Sequence, residues 1–175
     1  GGVKCWGDDI YNQTDPAGGR CNSGCSMGAN CCKIPATVNV YNVKSLGLGA
    51  YFSCALNSSG NVNCWGANGY SQLGRSCGSP CGIGPVTGVT NSRRISAGIQ
   101  HACSINDAGA VTCWGNGTNG QTTVSGVNNN AVSLGLGETH SCALLNTGSL
   151  SCWGVFTPPT GYTLGGRFDK DDQLI

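Results

Sequence analysis

One pattern recurs along this chain: a short run ending in Gly, a Cys five residues later, and a Cys-Trp-Gly ten residues after that. It reads Leu46-Gly-Leu-Gly49, Cys54, Cys64-Trp-Gly66; then Ile95-Ser-Ala-Gly98, Cys103, Cys113-Trp-Gly115; then Leu134-Gly-Leu-Gly137, Cys142, Cys152-Trp-Gly154. A truncated copy, Cys5-Trp-Gly7, opens the chain. A repeat at this spacing restricts the chain to an architecture in which one small unit is stacked several times.

Within a unit, Ser53–Leu56 and Asn61–Cys64 are short and alternating, which predicts two strands. Asn57-Ser-Ser-Gly60 lies between them, and a loop closing on Gly suits a turn whose last residue takes positive φ. Gly109 and Gly148 stand at the same offset in the other units. Folding each unit about its loop sets Cys54 opposite Cys64, Cys103 opposite Cys113 and Cys142 opposite Cys152. Non-hydrogen-bonded antiparallel pairs bring Cα atoms to about 4.5 Å, within disulfide reach. Three hairpin disulfides are therefore expected, each closing a loop of about eleven residues and contributing roughly 2–3 kcal/mol. The tryptophan after each second Cys points to the opposite strand face. Trp6, Trp65, Trp114 and Trp153 are read as core or inter-repeat packing, with sugar or base stacking as the competing role.

Gly supplies 30 of the 175 residues, and runs of helix formers are absent, so strands and loops should dominate. Charged residues make up 10% and the net charge is +1. No basic stripe exists to neutralise phosphates, which argues against nucleic acid as a partner. No apolar run reaches the roughly 18 residues needed to span a bilayer. The first residue is Gly rather than Met, which reads as a processed or mature product.

Thirteen cysteines indicate an oxidising compartment. Asn12, Asn57 and Asn116 each open an Asn-x-Ser/Thr sequon, and are candidate glycosylation sites in a eukaryotic secretory source. Cys77 and Cys81 bracket Gly-Ser-Pro and are expected to close a local bridge. Cys5, Cys21, Cys25, Cys31 and Cys32 remain, an odd number. The repeat gives Cys5 a partner ten residues upstream, where this chain has none. An intermolecular disulfide or a strand donated by a neighbour is one reading of Cys5; a thiol, or pairing within the 21–32 cluster, are the others. The 21–32 spacing is irregular for zinc, so disulfides in a loop insertion are preferred to a metal site. No cofactor is expected.

The stretch Ala97-Gly98, His101-Ala-Cys103-Ser-Ile, Asp107-Ala-Gly109 and Ala-Val-Thr-Cys113-Trp-Gly115-Asn116 resembles the repeat of the regulator of chromosome condensation superfamily. Cys64-Trp-Gly-Ala-Asn-Gly-Tyr-Ser-Gln-Leu-Gly74 and Gly137-Glu-Thr-His140-Ser-Cys-Ala-Leu144 resemble parts of it. The likeness covers about residues 44–154, and its cysteine-bearing form looks like secreted variants. It implies a β-propeller, usually seven-bladed, with protein-binding loops on one face. Here successive Cys-Trp-Gly motifs stand 59, 49 and 39 residues apart and only three units are complete. The expectation is an all-β, disulfide-rich, propeller-like arc of antiparallel hairpins, incomplete as a single chain. Its parts are residues 1–45 (partial repeat with a Cys-rich insertion), 46–94, 95–131 and 132–156 (repeats), and 157–175 (tail). The family's nuclear exchange activity is not implied.

Glu138 and His140 stand two apart and could do acid–base work. His140, however, occupies the repeat position of His101 and of Phe52, and a place that accepts Phe is a packing place. No nucleophile has a partner, and the chain is read as not an enzyme. The first functional reading is an extracellular or cell-surface structural subunit, acting by self-association or adhesion to another extracellular protein. The alternative is a monomeric secreted module that grips a protein or a glycan.

Overall fold

In a computed structural model, the structure describes residues 2–8, 10–14 and 31–155. The tail, Cys21 and Cys25 lie outside the described residues. Four antiparallel sheets follow one another along the chain. Sheet I pairs β1 (Val3–Asp8) with β2 (Cys31–Val38). Sheet II runs in order through β3 (Val43–Leu48), β4 (Phe52–Asn57), β5 (Val62–Gly66) and β6 (Cys81–Pro85). Sheet III contains β7 (Ser92–Ala97), β8 (His101–Asn106) and β9 (Val111–Gly115). Sheet IV contains β10 (Ala131–Leu136), β11 (His140–Leu145) and β12 (Leu150–Gly154).

Sheets II, III and IV each open with a strand that the hairpin reading does not supply, because the Gly-ended run before each unit is itself a strand; sheet II adds β6 as well. β3, β7 and β10 are these first strands, and they pack side by side from sheet to sheet. They therefore form the inner wall of an arc, as the first strands of propeller blades do. Each carries a β-bulge at its second residue, where the register slips between Val43 and Ser45, Ser92 and Arg94, and Ala131 and Ser133. A bulge re-aims the side chains beyond it. That, with glycine at Gly47 and Gly135, blurs the alternation by which a strand is recognised.

The hairpins have the expected register: Cys54 faces Cys64, Cys103 faces Cys113, and Cys142 faces Cys152. Their Cα atoms stand 4.1, 4.0 and 4.1 Å apart, and each pair is disulfide-bonded. Gly60, Gly109 and Gly148 take φ of 78°, 85° and 82° in the turns. Cys77 is bonded to Cys81 across the loop that leads into β6. Replacing Cys103 and Cys113 together by Ala is expected to lower stability by about 2–3 kcal/mol, because the unfolded chain regains the loop entropy. Urea denaturation of the oxidised protein and of the variant measures it; coincident curves would show that the bridge contributes nothing.

The apolar clusters bridge adjacent sheets. Val3, Val38 and Val40 meet Ala55 and Trp65 at the I–II junction. Cys54, Leu56 and Cys64 join Ile95, Ala102 and Trp114 at the II–III junction. Cys103 and Ile105 join Ala131, Ala143 and Trp153 at the III–IV junction. Sheets II and III thus turn their disulfides downstream, and sheets II, III and IV turn their tryptophans upstream. β1 pairs with β2 as β5 pairs with β6, antiparallel and with a register slip at the same point, between the cysteine and the glycine of the motif. β2 therefore takes the outer place, and sheet I is the outer half of a blade. Among the described residues no helix is long and apolar enough to cross a membrane.

Candidate interaction site

The junctions are pinned by a hydrogen bond that the sequence analysis did not assign. Trp65 Nε1 donates to the carbonyl of Gln13 at 2.9 Å, Trp114 Nε1 to that of Gln72 at 3.0 Å, and Trp153 Nε1 to that of Gln121 at 2.8 Å. Each acceptor lies seven residues after the tryptophan of the preceding copy. Each glutamine is also held in place by its own side chain, whose Oε1 accepts from the backbone N–H of Tyr11, Tyr70 or Asn119 at 2.8 Å. Ser53 and Ser141 add a second donor to Gln13 and Gln121, at 3.2 and 2.8 Å. In the middle unit Ala102 takes that place, so Trp114 is the side-chain donor recorded for Gln72. The visible signal was glutamine at one offset in three copies; its carbonyl, not its side chain, makes the contact, and a sequence does not show that.

His101 is fully buried at the III–IV junction. Its Nε2 lies 2.8 Å from Ser141 Oγ, while Nδ1 is buried without a hydrogen-bond partner. Because Ser141 Oγ gives its proton to Gln121, it accepts from His101 Nε2–H, which leaves Nδ1 as a bare lone pair. Burial, helped by nearby His140, pulls the imidazole pKa from 6.5 down to about 4. The ring sits over Gly98, where an added Cβ would lie 2.6 Å from the His101 ring and 2.2 Å from the Gly137 carbonyl. Gly49 and Gly137 are covered in the same way by Phe52 and His140. This is the packing place expected from Phe52. Glu138 lies in the β10–β11 turn and His140 opens β11, partly buried. Among the described residues no group of three or more His, Cys, Asp or Glu is arranged to hold a metal.

The two edges of the arc differ. One carries the turns after the first strands and the loops after Cys-Trp-Gly. On it Ile10, Tyr11, Leu48, Tyr51, Tyr70 and Ile99 are exposed, with the Tyr11 and Tyr51 rings 5.1 Å apart. The Ala50 N–H donates to the Ile99 carbonyl, and that of Ala67 to Tyr51, so these loops form one surface. The opposite edge carries the hairpin turns and one large exposed ring, Tyr41. A cleft of about 190 Å³ there lies between sheets II and III, with Lys44, Ser92, Arg93 and Asp107 in its wall. Arg93 crosses to the next sheet and donates to the Ala131 carbonyl at 2.7 Å.

Asn57 ends β4, and its Oδ1 accepts from Ser59 and Asn61 N–H. Asn116 Oδ1 accepts from Thr118 N–H and Oγ1, and its Nδ2 donates to Gln100. Asn12, at φ 56°, lies beside Tyr11 on the aromatic edge. Cys5 faces Ala36 in the sheet I ladder and packs, partly buried, against the I–II core. The copies of the tryptophan are not equivalent: Trp65, Trp114 and Trp153 expose 0, 9 and 5% of their surface, and Trp6 exposes 65%.

The regulator of chromosome condensation (RCC1) repeat matches residues 43–72 and 93–121. No curated protein matches the sequence. Among solved structures, yeast RCC1 (Prp20) bound to Kap60 overlays 99% of this chain with a TM-score of 0.68 at 23% identity. Prp20p from Saccharomyces cerevisiae, studied with its binding to Gsp1p and histones, gives 99%, 0.69 and 23%. Human WBSCR16 gives 88%, 0.66 and 22%. The chain spans less than half of these structures, 44, 45 and 43% of their lengths. It carries RCC1-like β-propeller repeats in an arc that does not close.

Proposed function

We propose that this arc of RCC1-like repeats works outside the cell or on its surface, by contact with other proteins and not by catalysis. The observation that carries the reading is the aromatic edge: Tyr11, Tyr51, Tyr70, Leu48 and Ile99 stand exposed on adjoining loops held by a rigid sheet scaffold. Large amphipathic rings on ordered loops supply contact area at low entropic cost. Protein binding is also what the names of the yeast neighbours record for those proteins. Disulfides in every complete repeat suit an oxidising compartment, and there the Asn12, Asn57 and Asn116 sequons become glycosylation sites.

Replacing Tyr51 and Tyr70 together by Ser is expected to leave the melting temperature within a degree or two, since both are exposed, and to reduce retention of extracellular proteins on the immobilised chain at least about tenfold. Equal retention by both forms would remove this edge as the binding surface. Release of bound material by free oligosaccharides would assign the alternative, a glycan-binding role.

A second reading, a structural subunit of a surface assembly or filament, is favoured by a different observation. Trp6 presents to solvent the group that the three other copies bury between sheets.

A further inference from the structure

We propose that the Cys77–Cys81 disulfide is a thiol-exchange site: a low-molecular-weight thiol adds to Cys77, and Cys81 leaves as a thiolate held by Arg75. The hairpin bridges tie paired strands, whereas this one closes part of the loop between β5 and β6.

The two sulfurs have unequal neighbours. Arg75 Nη2 lies 3.3 Å from Cys81 Sγ, and donates to the carbonyl of Cys64 at 3.2 Å and to that of Gly82. The guanidinium rests over Gly84, where an added Cβ would stand 2.7 Å from it. Arg75 Nη1 is buried without a hydrogen-bond partner, and among the described residues no carboxylate pairs with this cation. A cation without a counter-ion beside a sulfur favours the state in which that sulfur is negative. Cys77 Sγ has a neutral neighbour instead, the Asn68 side-chain amide at 3.4 Å. That amide nitrogen is shared with the carbonyls of Arg75 and Cys77, which weakens each bond. Cys81 is therefore the better leaving group, and Cys77 is the sulfur attacked.

Access points the same way. Cys54 and Cys64 are fully buried, and so is Cys103, which leaves only the Cys113 side of its bridge partly open. Cys77 and Cys81 are partly exposed, and Gly78, Ser79 and Pro80 between them are exposed. Cys142 and Cys152 are also partly exposed, but among the described residues no basic side chain donates to either sulfur. In the exchange the incoming thiolate bonds to Cys77 Sγ as the Sγ–Sγ bond breaks, and the electron pair of that bond leaves on Cys81 Sγ. The products are a mixed disulfide on Cys77 and a thiolate on Cys81, with no further oxidant or reductant. The contact with Arg75 also slows the return attack, because a thiolate of lowered pKa is the weaker nucleophile.

Brief exposure of the oxidised protein to glutathione near neutral pH, followed by a pulse of iodoacetamide and peptide mass mapping, tests the proposal. Glutathione is expected on Cys77 and the carbamidomethyl label on Cys81, ahead of any adduct on Cys142 or Cys152. Arg75→Gln is expected to slow this reaction at least about threefold and to erase the preference between the two sulfurs. Arg75→Lys keeps the charge and is expected to keep the preference. A second measurement does not depend on the Arg75 variants folding. In Cys77→Ser the Cys81 thiol is left without its partner, and its rate of alkylation against pH is expected to give a pKa at least about one unit below the ordinary 8.5. Glutathione on Cys81, or divided evenly between the two sulfurs, overturns the inference. So does an adduct that forms first at Cys142–Cys152, a rate unmoved by Arg75→Gln, or an ordinary pKa for Cys81.

Discussion

Trp65→Ala is expected to cost about 3–5 kcal/mol, a large share of the stability of a domain this size. The same replacement at Trp6 is expected to change stability by less than about 0.5 kcal/mol when measured below the association range. Motif and strand are the same at both positions; the surroundings differ. Trp65 is fully buried between sheets I and II and donates to Gln13, whereas Trp6 exposes 65% of its surface. The Trp65 variant loses the buried ring area and gains a cavity at a junction that has few other apolar contacts. One compensation exists, because Ser53 continues to donate to the Gln13 carbonyl. Trp114→Ala has no such compensation in its own unit, since Ala102 stands where Ser53 does. Urea denaturation of the variants at one low concentration measures the differences. Equal losses at Trp6 and Trp65 would show that the tryptophans act within their own sheets and not as ties between them.

Acidification is expected to loosen the III–IV junction through His101. Its imidazole titrates near pH 4 in the folded protein and near 6.5 when unfolded. Between these values the unfolded chain binds the extra proton, so stability is complete above about pH 6.5 and declines as pH falls toward 4. The loss approaches the order of 3 kcal/mol, equivalent to roughly 10 °C in melting temperature for a chain of this length. The cause is local. A charged ring would bring a proton to Nδ1, a buried atom with no acceptor, beside His140. His101→Phe places at this position the residue its counterpart Phe52 already shows, and it should flatten the profile between pH 6.5 and 4. Ser141 keeps its bond to Gln121 in that variant, so the junction retains its other tie. Melting curves of both forms from pH 7.5 to 4 decide the matter. An unchanged slope in the variant would place the acid sensitivity elsewhere.

Both expectations turn on junctions between repeats, and that is where the sequence was least explicit. A hairpin spans about eleven residues, and its register follows from the turn glycine and the alternation of side chains. Cysteines ten apart are then carried to disulfide distance by local geometry alone. The first strands escaped notice because a bulge in each, and interior glycines in β3 and β10, break their period. The pairing of β1 with β2 crosses an insertion of more than twenty residues, and no local rule sets a register over that distance. Gln13, Gln72 and Gln121 were visible as a repeat, but the working atom is a main-chain carbonyl, which every residue has.

The two histidines state the division most directly. His101 and His140 hold the same place in successive copies, each over a glycine and two residues before the first cysteine of its hairpin. One is fully buried with a depressed pKa, and the other is partly open at the outward face of sheet IV. Trp6 and Trp65 differ in the same way. Short-range chemistry, carried in the residues themselves, determined the unit: its strands, its turn, its cross-strand cysteines. Position along the arc decided which copies of that unit are covered, because burial depends on the neighbouring sheet, and only packing in three dimensions supplies or withholds one.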